Sequence, residues 1–216
     1  MAEVESLLLM YASKKEDIAK RLQEFELKKY APDEEIFAEL VFCILTPQTR
    51  ASQANKALSE LQNGPLFKGS EKEIAEVLAK NGIRFHNRKA KYIIKARELF
   101  SRGNKIKIKS MLNTDDPKGL RAWLASNVLG LGYKEASHFL RNIGYGKDLA
   151  ILDRHILSEL LKLKIISKMP KSLSKSKYLE IEQKLTAFAA KLKLSLAELD
   201  ALLWSEHGSL PIDALR

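Results

Sequence analysis

Residues 129–142 read Leu-Gly-Leu-Gly-Tyr-Lys-Glu-Ala-Ser-His-Phe-Leu-Arg-Asn, and Asp153 follows in Ile-Leu-Asp-Arg-His-Ile-Leu. Gly130 and Gly132 flank Leu131, Ala136 stands four residues after the second glycine, and Leu140 four further on. This spacing predicts a helix-hairpin-helix. The glycines allow a tight turn whose backbone can come close to a docked partner. The second helix then opens with N–H groups free to receive a phosphate oxygen. Leu131 is expected to point inward, and the small Ala136 to let the two helices pack closely. Taken alone, the pattern also fits an ordinary αα-turn with a glycine C-cap.

The composition favours a polyanionic partner. The chain has 216 residues, with 37 Lys+Arg against 27 Asp+Glu and a formal net charge of +10. Such an excess gains free energy on nucleic acid by releasing condensed counterions. Residues 84–109 hold ten Lys or Arg against the single acid Glu98, and residues 155–195 hold nine Lys against Glu159, Glu180 and Glu182. Either run alone could be a solvated face. Two of them around a helix-hairpin-helix make DNA the expected partner.

Apolar residues recur at spacings of three and four along most of the chain, and no run alternates at period two, so an all-α fold is expected. Helices are read over about 3–29, 33–45, 49–62, 70–80 and 87–101, with the nearly all-apolar Ile36–Leu45 as the buried centre. Asp115-Asp116-Pro117 reads as a cap followed by proline at the first helical position. Asp153, Ser174 or Ser176, and the Ser195-x-x-Glu198 box are expected to open the last three helices. The one cysteine, Cys43, lies in an apolar run, which excludes an internal disulfide and an all-cysteine metal or cluster site. No apolar stretch reaches the roughly 18 residues of a membrane span, and the acidic Met1-Ala-Glu-Val-Glu is unlike a secretory leader. An intracellular, soluble, DNA-associated protein is expected, in the cytoplasm or nucleoid of a prokaryote.

Lys134 falls in the first turn of the second hairpin helix. Lysine is disfavoured there because its charge opposes the positive end of the helix dipole. The same field favours the neutral amine that nucleophilic attack requires. Attack on the anomeric carbon of a deoxynucleotide would expel the base and leave a Schiff base, which acidifies the adjacent C2′ proton and opens the way to elimination of the 3′-phosphate. A carboxylate nearby would stabilise charge developing on the sugar and move protons, and Asp153 is the candidate. Each residue also has a plainer reading: a phosphate contact for Lys134, a helix cap for Asp153.

The block at 129–157 resembles the helix-hairpin-helix DNA glycosylase superfamily, and more narrowly the archaeal-type 8-oxoguanine DNA glycosylase/AP lyases, the second Ogg class. The resemblance extends to Lys177-Tyr-Leu-Glu-Ile-Glu182, Leu199-Asp-Ala-Leu-Leu-Trp204, Phe42-Cys-Ile-Leu-Thr46, and Arg84-Phe85 with Arg88-Lys89-Ala90. It implies that Lys134 is the Schiff-base nucleophile and Asp153 the catalytic carboxylate. It also implies two helical lobes, a middle one of 32–150 ending in the hairpin and a second formed by 1–31 and 151–216. Excision and β-elimination need no cofactor, and a monovalent cation at the hairpin is the one ion the resemblance leaves room for. The expected partner is duplex DNA carrying a damaged base, bound by a monomer.

An enzyme that extrudes a base must fill the vacated space. Arg84-Phe85 offers an aromatic wedge and a cation, although Phe85 could equally pack at a helix entry. Gln48, where the family has Ala-Asn after Leu-Thr, is a second plug candidate, or else a solvated residue beside a capping Thr49. Gly130, Leu131, Gly132, Arg88 and Lys91 complete the expected DNA contacts. The C-terminus departs from the family, which ends shortly after Trp-Tyr-x-x-Thr-Gly-Lys. Here the sequence is Trp204-Ser-Glu-His-Gly-Ser-Leu-Pro-Ile-Asp-Ala-Leu-Arg216. Trp204, His207 and the Arg216 carboxylate are the candidates for reading the base, and His138 and His155 are read as structural. The same chemistry on an oxidised pyrimidine, or a non-catalytic hairpin protein that only binds DNA, are the alternatives.

Overall fold

The computed structural model describes residues 2–205, the side chains of 2 and 3 excepted. They form ten α-helices: α1 Ala2–Leu27, α2 Asp33–Leu45, α3 Ala51–Gln62, α4 Glu71–Lys80, α5 His86–Phe100, α6 Pro117–Asn127, α7 Tyr133–Asn142, α8 Arg154–Lys162, α9 Lys175–Leu192 and α10 Leu196–Trp204. The all-α expectation holds, with one small addition. Strands β1 (Ser101–Arg102) and β2 (Lys105–Ile106) pair antiparallel, Ser101 opposite Ile106. Two residues per strand are too few to show an alternating pattern, so nothing in the sequence announced them.

The helix starts follow the capping chemistry. Ser70 with Glu73, and Ser195 with Glu198, form reciprocal capping boxes, each satisfying two otherwise orphaned N–H groups. Asp116 accepts from Gly119 N at 2.9 Å, with Pro117 at the first helical position. Ser174, rather than Ser176, caps α9.

The described residues divide into two compact units, Tyr30–Phe139 and 2–29 with 140–205. The first is built around α2, in which every residue from Ile36 to Leu45 is buried except the partly exposed Glu39. Helices α3 and α5 pack against it. In the other unit α10 lies against α1, α8 and α9 around Ile18, Phe25, Leu160, Ile181 and Leu199. The division falls at 139/140, whereas the sequence reading places it at 150. The residues after 139 pack on α1. The Arg141 guanidinium lies 4.9 Å from the Phe25 ring centre, Lys29 Nζ lies 5.2 Å from that of Tyr145, and a Cβ on Gly144 would meet Phe25 O at 2.8 Å. Arg141 Nη1 also donates to the buried Asp200 Oδ2 at 3.0 Å.

Candidate active site and DNA-contact elements

Helix α6 ends at Val128, whose carbonyl accepts Leu131 N at 3.2 Å and closes the hairpin turn. Gly130 has φ +89, and a Cβ there would meet Tyr92 Cδ2 at 2.6 Å, so this position requires glycine twice over. Gly132, unlike Gly130, is not left-handed. Its carbonyl accepts Ala136 N at 2.9 Å, making it the residue that starts α7, and its N–H donates to Glu135 Oε2 at 3.2 Å. One of the N–H groups expected to face outward is therefore covered by a carboxylate. Leu131 and Ala136 are buried, as their spacing predicts.

The two hairpin helices are pinned by Arg121, which is almost wholly buried. Its Nη1 donates to Ser137 Oγ at 3.3 Å, and its guanidinium lies 5.0 Å from the centre of the Tyr133 ring. Tyr133 and Ser137 bracket Lys134 on α7. The Lys134 side chain is 26% exposed, with Nζ 3.4 Å from Glu135 Oε1. It is thus half-buried, reachable, and fixed at the first turn of its helix.

Asp153 belongs to the other unit and caps α8, its Oδ1 accepting Ile156 N at 2.8 Å. What precedes it is a buried segment outside any helix or strand, Leu149–Leu152. Such a segment has no ladder of its own, so its polar backbone atoms need partners. They come from α9. Glu182 Oε1 accepts Ala150 N at 2.9 Å, Tyr178 Oη donates to Ala150 O at 2.6 Å, and Leu152 N donates to Tyr178 Oη at 3.3 Å. Trp204, the last residue of α10, sets its ring 5.0 Å from that of His155, two residues after Asp153. Trp204 and Asp153 therefore lie at the same end of α8. His138 makes an edge contact with Phe42, ring centres 5.9 Å apart. His207 and Arg216 lie outside the described residues.

Gln48, Arg84 and Phe85 stand out from the first unit. Gln48 (φ +56) and Phe85 (φ +58) are left-handed without being glycine, a conformation costing about 1–3 kcal/mol that persists only where surroundings enforce it. Both are exposed, Phe85 by 50%. The guanidinium groups of Arg84 and Arg88 lie 5.5 and 6.0 Å from the centre of the Phe85 ring. Arg88 and Lys91 are exposed on the first turns of α5.

Four contributors were not visible as functional from residue type alone: Lys89, Arg121, and the pair Tyr178 and Glu182. A signal was present in each case. Lys89 shares the buried stripe of Ala90, Ile93, Ala96 and Phe100, and Arg121 that of Leu120 and Leu124. Tyr178 and Glu182 lie with Ile181, Leu185 and Ala189. A charged residue on an apolar stripe must be paired inside. Among the described residues, no group of three or more His, Cys, Asp or Glu side chains could hold a metal ion, and no helix is long and apolar enough to cross a membrane.

A hairpin presenting a lysine, a capped carboxylate and exposed left-handed turns defines a helix-hairpin-helix protein fitted to handle DNA. The family model of 8-oxoguanine DNA glycosylases matches residues 18–194, and the chain belongs to that family. It is 40% identical over 204 residues to the 8-oxoguanine DNA glycosylase/AP lyase of Fusobacterium nucleatum subsp. nucleatum, covering 93% of each chain. It is 44% identical over 190 residues to that of Korarchaeum cryptofilum, covering 88% of this chain and 87% of the relative. The crystal structure of the Methanocaldococcus jannaschii 8-oxoguanine glycosylase/lyase, in complex with a 15mer DNA containing 8-oxoguanine, matches with a TM-score of 0.86 at 39% identity, over 95% of this chain and 97% of that one.

Proposed function

We propose that this chain is a bifunctional DNA glycosylase/AP lyase of base-excision repair that acts as a monomer on duplex DNA and excises 8-oxoguanine. The observation that carries the reading is Lys134, half-buried in the first turn of α7 directly after the hairpin turn. The neutral amine attacks C1′ of the extruded nucleotide. The N–C1′ bond forms as the C1′–N9 bond breaks, and the electron pair leaves with the base, which takes up a proton. The amine loses its proton, the sugar ring opens, and an imine joins Lys134 to C1′. Removal of a C2′ proton then expels the 3′-phosphate, and hydrolysis of the imine frees the lysine. Asp153 stabilises the positive charge that develops on the sugar and serves as the proton carrier.

Arg84, Phe85 and Gln48 fill the gap left by the base, while Gly130, Leu131, Gly132, Arg88 and Lys91 hold the backbone. Trp204 sits beside the Asp153 end of α8, where a flipped base would meet its ring, and His207 and the Arg216 carboxylate, outside the described residues, are the further candidates for reading that base. No cofactor enters the scheme, and a monovalent cation at the hairpin would act on DNA binding rather than on chemistry.

Borohydride tests the reading, because it reduces the imine to a stable amine and leaves protein joined to DNA. A covalent adduct with an 8-oxoguanine duplex is expected from the native chain and none from Lys134→Gln, with binding kept within about tenfold, since one backbone contact is a modest part of the affinity. Strand cleavage at the native rate by Lys134→Gln would reject the assignment. An adduct formed with an oxidised pyrimidine but not with 8-oxoguanine would redirect the substrate.

A further inference from the structure

Lys89 is the one lysine among the buried polar residues of the described chain, 4% exposed on the apolar stripe of α5. Its Nζ donates to Leu45 O at 2.7 Å, Pro47 O at 2.8 Å and Thr49 Oγ1 at 3.0 Å. These three acceptors surround Gln48, whose backbone is left-handed. Its main-chain N–H makes the first intrahelical bond of α5, to Phe85 O at 2.9 Å, so the ammonium ties the start of α5, and Phe85 with it, to the Gln48 turn. Phe85 is left-handed too, at the residue that starts α5. Lys89 therefore stands between the two turns that carry the exposed candidates, its ammonium on the Gln48 turn and its backbone one helical turn after Phe85, and these are two of the four non-glycine left-handed residues in the described chain.

An ammonium with three donors aimed at two carbonyls and a hydroxyl satisfies all of them at once, which a shorter or apolar side chain could not. Taking that charge out of water is unfavourable: burial pushes the Lys89 ammonium down to about 8, and the neighbouring Arg84 charge pushes it the same way. A buried cation kept despite this marks a position where geometry outweighs stability. We propose that Lys89 is a positioning residue that locks the turn bearing Gln48 to the turn bearing Phe85, so that both side chains enter the duplex as one preset wedge when the damaged base is extruded. The proposal rests on the reading of Gln48 and Phe85 as gap-filling residues.

The test uses Lys89→Met, which keeps length and removes the donors, and Thr49→Val, which removes a single acceptor. Three readouts separate the outcomes. The first is single-turnover excision of 8-oxoguanine from a duplex, and the second the fluorescence of 2-aminopurine placed opposite the lesion, which rises when that base is unstacked. The third is cleavage of an abasic site in single-stranded DNA, where no stack has to be filled. Lys89→Met is expected to slow duplex excision by about tenfold or more and to flatten the fluorescence rise, while single-strand cleavage stays within about twofold, because only the wedge geometry is lost. Thr49→Val should follow in the same direction with a smaller loss, and it decides the matter alone if Lys89→Met does not fold. Equal loss on all three readouts, or undiminished duplex excision, would overturn the proposal. Gln48→Ala and Phe85→Ala keep the two readings apart. If both leave the fluorescence rise intact, the wedge reading fails and this one with it. If they abolish it while Lys89→Met and Thr49→Val do not, only the role of Lys89 fails.

Discussion

Replacing Asp153 by asparagine and by alanine separates its two roles, because the cap and the chemistry need different properties of the same side chain. The cap is one hydrogen bond, Ile156 N to Oδ1 at 2.8 Å. An asparagine Oδ1 accepts it equally well, and asparagine ranks with aspartate at helix starts, so Asp153→Asn should leave stability nearly unchanged. Alanine removes the acceptor and should cost about 1 kcal/mol, or about 2–4 °C in melting temperature for a chain of this size. Neither change disturbs the approach to the site, since Leu149–Leu152 is held by Tyr178 and Glu182 through bonds that do not involve residue 153. Chemistry follows the charge. Both variants lose the carboxylate that, in the proposed mechanism, meets developing positive charge, so single-turnover excision of 8-oxoguanine should fall by about 10²-fold or more in each, equivalent to about 2.7 kcal/mol of transition-state stabilisation. Thermal melting and excision rates measured on the same preparations give a pattern that only the dual role produces: activity lost in both variants, stability lost only in alanine. A fully active Asp153→Asn beside an alanine variant that fails through melting would leave Asp153 a cap and nothing more.

Gly130→Ala should destabilise the chain by about 1–3 kcal/mol in urea titration, since φ +89 is strained for any side chain and its Cβ would stand 2.6 Å from Tyr92 Cδ2. Adding Tyr92→Ala should not restore stability, because the left-handed backbone cost remains; full recovery would make the clash the whole effect. Affinity for undamaged duplex should fall steeply with salt, and removing exposed Arg88 or Lys91 should flatten the log–log slope by about one unit each; an unchanged slope would take that residue off the phosphates. The folded chain releases the Lys89 proton at about 8 and the unfolded chain near 10.5. Between those values the unfolded state holds more protons, so the Lys89 contribution to stability grows as pH rises from 8 toward 10.5 and is lost as pH falls back through 8. The stability of the native chain minus that of Lys89→Met should therefore be more positive at pH 9.5 than at pH 7.5 in paired urea titrations, and a less positive value at pH 9.5 would contradict the sign.

Helix positions were legible because their signals are local. Ser70 with Glu73, Asp116 before Pro117, and Ser195 with Glu198 carry their own partners within four residues, and the structure places each where that chemistry predicts. The hairpin was legible for the same reason, through Gly130, Leu131 and Ala136. What escaped is what depends on partners remote in sequence. Lys89 meets acceptors some forty residues earlier, and Glu182 holds a backbone N–H 32 residues before it. Neither distance leaves a periodic mark. The residue types give only half the message: a lysine on the stripe of Ile93 and Phe100 says that a partner must exist inside, but not which turn supplies it. That missing half matters most at the two turns proposed to enter the duplex. Gln48 and Phe85 could be read as plug and wedge candidates, but their conformation could not, since neither is a residue the left-handed region favours. A sequence can hold them there only by enforcing the conformation from elsewhere: in this chain the buried Lys89 ammonium bonds to the acceptors around Gln48, from a helix that Phe85 opens.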